Sequence, residues 1–99
     1  NNVNKNIQIK NSNYGPMQYC IYTGTLDGDG NVLIPNEISS GHSQIMSVNG
    51  FWKGGSGESY GLSSISVDGL YINMAGGAGA ASRNYRVFVQ YVQENVAWN

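Results

Sequence analysis

Apolar and polar residues alternate with a period of two along much of this chain, and nowhere do apolar residues keep helical spacing without an interrupting Gly or Pro. The clearest run is 84–93, where Tyr85, Val87, Val89 and Tyr91 alternate with Arg86, Phe88, Gln90 and Val92. β-Branched and aromatic residues dominate it, as a strand requires. Residues 17–26 place Met17, Tyr19 and Ile21 opposite Gln18, Cys20 and Tyr22. Residues 43–53 place Ile45 and Phe51 on one face and Met46, Val48 and Trp52 on the other. Large apolar groups on both faces suit a strand covered on both sides or lying at a subunit contact. Shorter strands are predicted at 6–10, with Ile7 and Ile9 on one face, at 32–34, at 64–67 and at 70–74.

Turn chemistry separates these runs. Asp27-Gly28-Asp29-Gly30-Asn31 is the strongest turn, because Gly takes positive φ at no steric cost and Asp and Asn bond to their own backbone. With the strands on either side it reads as a hairpin or near-hairpin. Tyr14-Gly15-Pro16 predicts another turn, Asn36–Gly41 a polar loop, and Asp68-Gly69 a tight hairpin turn or a bulge. Residues 53–61 are too rich in Gly to be anything but a loop, and 75–82, small residues with three Gly, predict a mobile loop in place of a helix. The expected fold is therefore all-β, an antiparallel β-sandwich of six to eight short strands with no substantial helix.

Length and composition limit what such a fold can be. A chain of 99 residues supports one domain. Residues 11–99 are expected to form it, and the Asn-rich stretch 1–10 to be a lead-in from an upstream segment. Leu, Ile, Val and Phe number only 22, so seven Tyr and two Trp must supply much of the buried area, and a partner subunit would help. Charged residues make up 11% and the net charge is −1, which leaves a polar, uncharged surface. Five scattered Lys and Arg cannot neutralise a long phosphate backbone, so nucleic acid is not an expected partner. No apolar run reaches the length of a membrane span, and nothing resembles a signal peptide. Cys20, the single cysteine, sits in an apolar alternation and reads as a small buried hydrophobe.

A search for reactive groups finds little. One His and one Cys cannot build a zinc site from one chain, and Gly55-Ser56-Gly57 lies in a flexible segment instead of a strand-to-helix elbow. Five of the six carboxylates fall in turns, loops or the chain end, away from the apolar pocket that a general acid needs. Asp27, Asp29 and Asn31 match the first ligands of an EF-hand, but Val32 and Ile38 stand where Gly and Glu are required. The reading is a binding module and not an enzyme, with no cofactor and no metal.

What remains is a recognition surface. A sugar presents an apolar ring face to an aromatic side chain and hydroxyls to planar amide, carboxylate or guanidinium groups. Trp52, Lys53, Glu58 and Tyr60 lie in or beside one loop, and Arg83 and Asn84 border the other long loop, so these six are the candidate ligand-binding residues. Alternation with Met46 and Val48 also suits Trp52 to the core or a subunit contact, and Lys53 and Arg83 to ordinary solvated charges.

The stretches Tyr22-Thr23-Gly24-Thr25, Asp27–Pro35 and Ile45-Met46-Ser47-Val48 resemble the C-terminal tip domains of bacteriophage tail fibres and tailspikes. The ending is similar too, with a small-residue loop at 76–82 followed by Arg83-Asn84-Tyr85-Arg86-Val87-Phe88-Val89-Gln90-Tyr91. The resemblance implies a β-sandwich, usually a parallel homotrimer around the fibre axis, that binds cell-surface polysaccharide or an outer-membrane receptor. It implies a place in the virion tail, extracellular after release, with no membrane insertion. Some related domains only trimerise or assist folding, so a C-terminal cap is one alternative and a free-standing lectin another.

Overall fold

The structure, a computed structural model, describes residues 2–5, 10–12, 15–38, 41–94 and 96. Among these residues the chain forms nine strands: β1 (Asn2–Lys5), β2 (Lys10–Ser12), β3 (Gly15–Thr25), β4 (Asn31–Pro35), β5 (Ile45–Lys53), β6 (Ser59–Gly61), β7 (Ser63–Val67), β8 (Tyr71–Ala75) and β9 (Asn84–Val92). All pair antiparallel, in two sheets. The larger runs β1-β3-β9-β5-β6, with β2 also paired to β3, and the smaller runs β4-β8-β7. This is the expected all-β, sandwich-like fold, and its only helical pieces are short 3₁₀ turns at Gly41–Gln44 and Ala78–Ala80 among the described residues.

Cross-strand partners share a face, so the register of the larger sheet sorts its side chains. Cys20 pairs with Val89 and Tyr22 with Val87, while Val48, Gly50 and Trp52 meet Val89, Val87 and Tyr85 from the other side. These positions face the smaller sheet, whose Ile34, Ile72 and Met74 are fully buried against them together with Val87 and Val89. Each such side chain contributes about 1.5–3 kcal/mol on burial. Leu26, also buried, marks the point where the chain leaves the larger sheet for the smaller one. No buried side-chain nitrogen or oxygen among the described residues lacks a hydrogen-bond partner.

Several expectations need correction. The turn at 27–31 forms as read, with Asp27 Oδ1 accepting from the Asp29 and Asn31 N–H groups at 2.8 and 2.9 Å. It does not make a hairpin, because β3 lies in the larger sheet and β4 pairs with β8 in the smaller. The turn is a crossover, selected by the burial of Ile34 against Ile72. Residues 53–61 are not simply a loop, since β6 pairs back on β5 through Trp52 and Tyr60 and leaves only 54–58 as the connection. Gly15 and Pro16, expected in a turn, belong to β3 and pair with Ser12 and Asn11, and Tyr14 lies outside the described residues. A bulge between Ile45 and Ser47 shifts the face of Ile45, which pairs with Tyr91 and packs on the core, while Met46 is 43% exposed.

Two further segments differ in detail. Asp68 and Gly69 form the hairpin turn between β7 and β8, its Asp68 Oδ1 accepting from the Leu70 and Tyr71 N–H groups at 2.7 Å each. These two bonds hold the Asp68 carboxyl below the usual carboxylate range. The segment 75–82, expected as a mobile loop, is tied down instead. Gly76 N–H donates to the Gly30 carbonyl at 2.8 Å, Ser82 N–H to the Asp27 carbonyl at 3.0 Å, and Ala80 is fully buried. Of the stretch 1–10, residues of β1 and Lys10 pair with β3, and the strand predicted around Ile7 and Ile9 lies outside the described residues.

Candidate ligand-binding site

Two connections converge at one end of the larger sheet. The β5–β6 loop is closed by Gly54 N–H donating to the Glu58 carbonyl at 2.7 Å and by Gly57 N–H donating to the Gly54 carbonyl at 3.1 Å. Glu58 Oε1 accepts from the Ser56 N–H at 3.0 Å. The β8–β9 connection interlocks with the 27–31 turn, and Leu26 N–H donates to the Arg83 carbonyl at 2.8 Å. The Arg83 guanidinium reaches across to Gly55, where a Cβ would stand 3.2 Å from one of its nitrogens. The two connections are thereby held side by side.

The exposed face of the larger sheet leads away from this junction. Its outward residues follow from register: Thr25 opposite Asn84, Thr23 and Phe51 on either side of Arg86, and Ile21 and Asn49 on either side of Phe88. Three depressions lie along it. The first, about 290 Å³, is bordered by Lys53, Gly54, Gly55, Ser82, Arg83 and Asn84. Lys53 and Asn84 also border the second, about 310 Å³, with Thr23, Phe51, Ser59 and Arg86. Phe51 and Arg86 in turn border the third, about 350 Å³, with Ile21, Asn49 and Phe88. Shared walls join the three into a trough along β5 and β9, roughly 13 Å from Asn84 to Phe88 at the rise of a strand.

The trough is graded in character. At one end Phe51, 44% exposed, and Ile21 with Phe88 offer apolar surface, and the Tyr19 and Phe88 rings lie 5.2 Å apart beside them. At the other end stand Lys53, Arg83 and Asn84. The Thr25 hydroxyl donates to Asn84 Oδ1 at 3.1 Å, which orients the amide. Beneath, burial raises the pKa of the Tyr85 phenol and keeps it neutral.

Of the six residues singled out from sequence, Lys53, Arg83 and Asn84 come together on the trough, and Trp52 borders its middle. The Trp52 ring stacks on Tyr60 at 4.6 Å with 28° between planes, and a Cβ on Gly76 would come within 2.9 Å of it. Trp52 packs on the core, so its first duty is to join β5, β6 and the 76–82 segment. Glu58 and Tyr60 border none of the three depressions, and the Glu58 carboxylate is engaged within its own loop. Sequence reading missed Phe51, Thr23 and Arg86. Arg86 alternates with Asn84, and Phe51 with Lys53, so extending the pattern by one step along each strand would have found both.

Fold and surface together define a class: an antiparallel β-sandwich that presents an open trough of aromatic, amide and cationic side chains on the exposed face of its larger sheet. No protein-family model, curated protein or solved structure matches the chain. No group of three or more His, Cys, Asp and Glu among the described residues comes together to hold a metal. No helix among them is long and apolar enough to cross a membrane.

Proposed function

We propose that this domain is a receptor-binding tip of a bacteriophage tail fibre or tailspike, which recognises a bacterial surface polysaccharide without cleaving it. The observation that carries the reading is the trough: it is shallow, elongated and open along its length, a shape suited to a linear chain of sugars. Phe51 supplies a surface for one ring face, and Asn84, Lys53 and Arg86 supply planar or charged groups for hydroxyls. The reading moves the recognition surface from the loops alone to the loops plus the outward face of β5 and β9.

Self-association in threes belongs to the same proposal. Leu33 and Tyr71 are exposed on the outward side of the smaller sheet, Ile65 is exposed at the bulge of β7 in the same sheet, and Leu70 is exposed in the turn before β8. A second copy covering that surface would leave the trough open. If only the apolar surface were used, the domain would be a trimerisation cap, and the exposed Leu33 and Tyr71 are what favour that second reading. An array of bacterial surface polysaccharides probed with the isolated chain separates the two. Binding that Phe51→Ala and Asn84→Ala weaken, with the melting temperature unchanged, supports the tip. Absence of any glycan bound, from a chain that still trimerises, supports the cap.

A further inference from the structure

Resting on the reading of the trough as a glycan site, we infer that its ligand is an acidic polysaccharide, one whose repeating unit carries carboxylate or sulfate, held by Lys53, Arg83 and Arg86. The chain as a whole is slightly acidic, with five basic and six acidic residues. Along the trough the balance is reversed. Three of the five basic residues border it and none of the acidic ones does.

The neighbouring carboxylates keep their charge, with Glu58 Oε1 lying against Gly54, but they form no ion pair with these cations among the described residues. Glu58 is the acidic residue of the adjoining loop, and its Oε1 accepts the Ser56 N–H. Asp27 belongs to the turn beside the 76–82 segment, and its Oδ1 accepts two backbone N–H groups. Among the described residues no carboxylate pairs with Lys53, Arg83 or Arg86. Three unpaired cations on one face repel one another, and an anion held between them removes that repulsion and adds charge-assisted hydrogen bonds.

Their spacing points to a sugar chain. Phe51 lies directly opposite Arg86, so Lys53, two residues further along β5, is the diagonal neighbour of Arg86, at roughly 7–8 Å. Arg83 lies beyond, beside Gly55. Cations spread along the trough, with Phe51 between the strands' polar positions, match a polymer that alternates charged groups with uncharged rings. A nucleic acid would extend its dense charge past three cations onto a surface whose remaining balance is acidic.

The test uses the 99-residue chain. Each acidic polysaccharide that it binds on the array, with oligogalacturonate as a defined probe, is titrated by calorimetry before and after carboxyl reduction or desulfation. Loss of at least about tenfold in affinity on removing the charge is expected, with binding that weakens as salt is raised. Lys53→Gln, Arg83→Gln and Arg86→Gln should each cost up to about tenfold at an unchanged melting temperature, and Arg86→Lys should recover part of the loss. Equal affinity for charged and neutralised forms, or binding confined to uncharged glycans, overturns the inference while glycan recognition stands. Failure to bind any glycan overturns both. Preferential binding of a single-stranded thymidine oligonucleotide overturns both in favour of nucleic acid.

Discussion

Gly30 has a φ of 79°, and a Cβ there would stand 2.0 Å from the Gly77 carbonyl oxygen. Gly57 has a φ of 91° with nothing within 4 Å of the same position. The pair separates backbone strain from steric contact. Gly57→Ala should cost about 1–2 kcal/mol, the penalty of a left-handed conformation alone. Gly30→Ala should cost more, since the 27–31 turn and the 76–82 segment must part; urea unfolding of both variants measures the difference. Equal losses would mean that the two segments are not locked together as described. Three tyrosines supply a pH dependence. Burial raises Tyr22, Tyr85 and Tyr91 above the ordinary value of 10.0, and Tyr22 also donates to Glu37 Oε2 at 3.4 Å. Folding therefore favours the neutral phenols. Their contribution is complete below the ordinary value and is lost as pH rises above it. The melting temperature should fall as pH rises above about 10, and Tyr22→Phe should reduce that fall.

The strand β9 is the axis of the larger sheet, bonded to β3 on one side and β5 on the other. Its inward residues build the core and its outward residues build the trough, so one alternation shapes both. Substitutions on the two faces should divide accordingly. Trp52→Ala on β5, which removes a ring stacked on Tyr60 and against Gly76, should destabilise by about 2–3 kcal/mol. Phe51→Ala, one residue away and 44% exposed, should leave thermal unfolding nearly unchanged and weaken glycan binding. Thermal melts and titrations of the two variants would expose a reversed assignment at once. The faces of β9 and β3 were readable from alternation. Those of β5 were readable only after its bulge, because an extra residue resets the parity and leaves no mark in the composition.

The molecule as a whole leaves Leu33, Ile65, Leu70 and Tyr71 exposed on or next to its smaller sheet, with Leu70 the most exposed at 71%. An isolated domain seldom keeps so much apolar area in water, and a partner copy is the proposed cover. Sedimentation at high protein concentration should report a trimer, and Leu33→Asp with Tyr71→Asp should dissociate it while the circular dichroism spectrum keeps its β form. A chain that stays monomeric at every concentration would remove the trimer from the proposal. Half of the candidate site was legible beforehand: Lys53, Arg83 and Asn84 stand where loop reading put them, while Phe51, Thr23 and Arg86 came from strand pairing.

Local chemistry alone determined the β class, the strands of 17–26 and 84–93, and the turns at Asp27–Asn31 and Asp68-Gly69. Period-two alternation and side-chain-to-backbone bonds act over a few residues, so they are written in the order of the chain. Tertiary packing decided that the first of those turns crosses between sheets, that Tyr60 lies on Trp52, and that Lys53 and Arg86 meet along one trough. Those outcomes depend on which apolar faces bury one another, a choice made among residues distant in sequence and close only once the two sheets have packed.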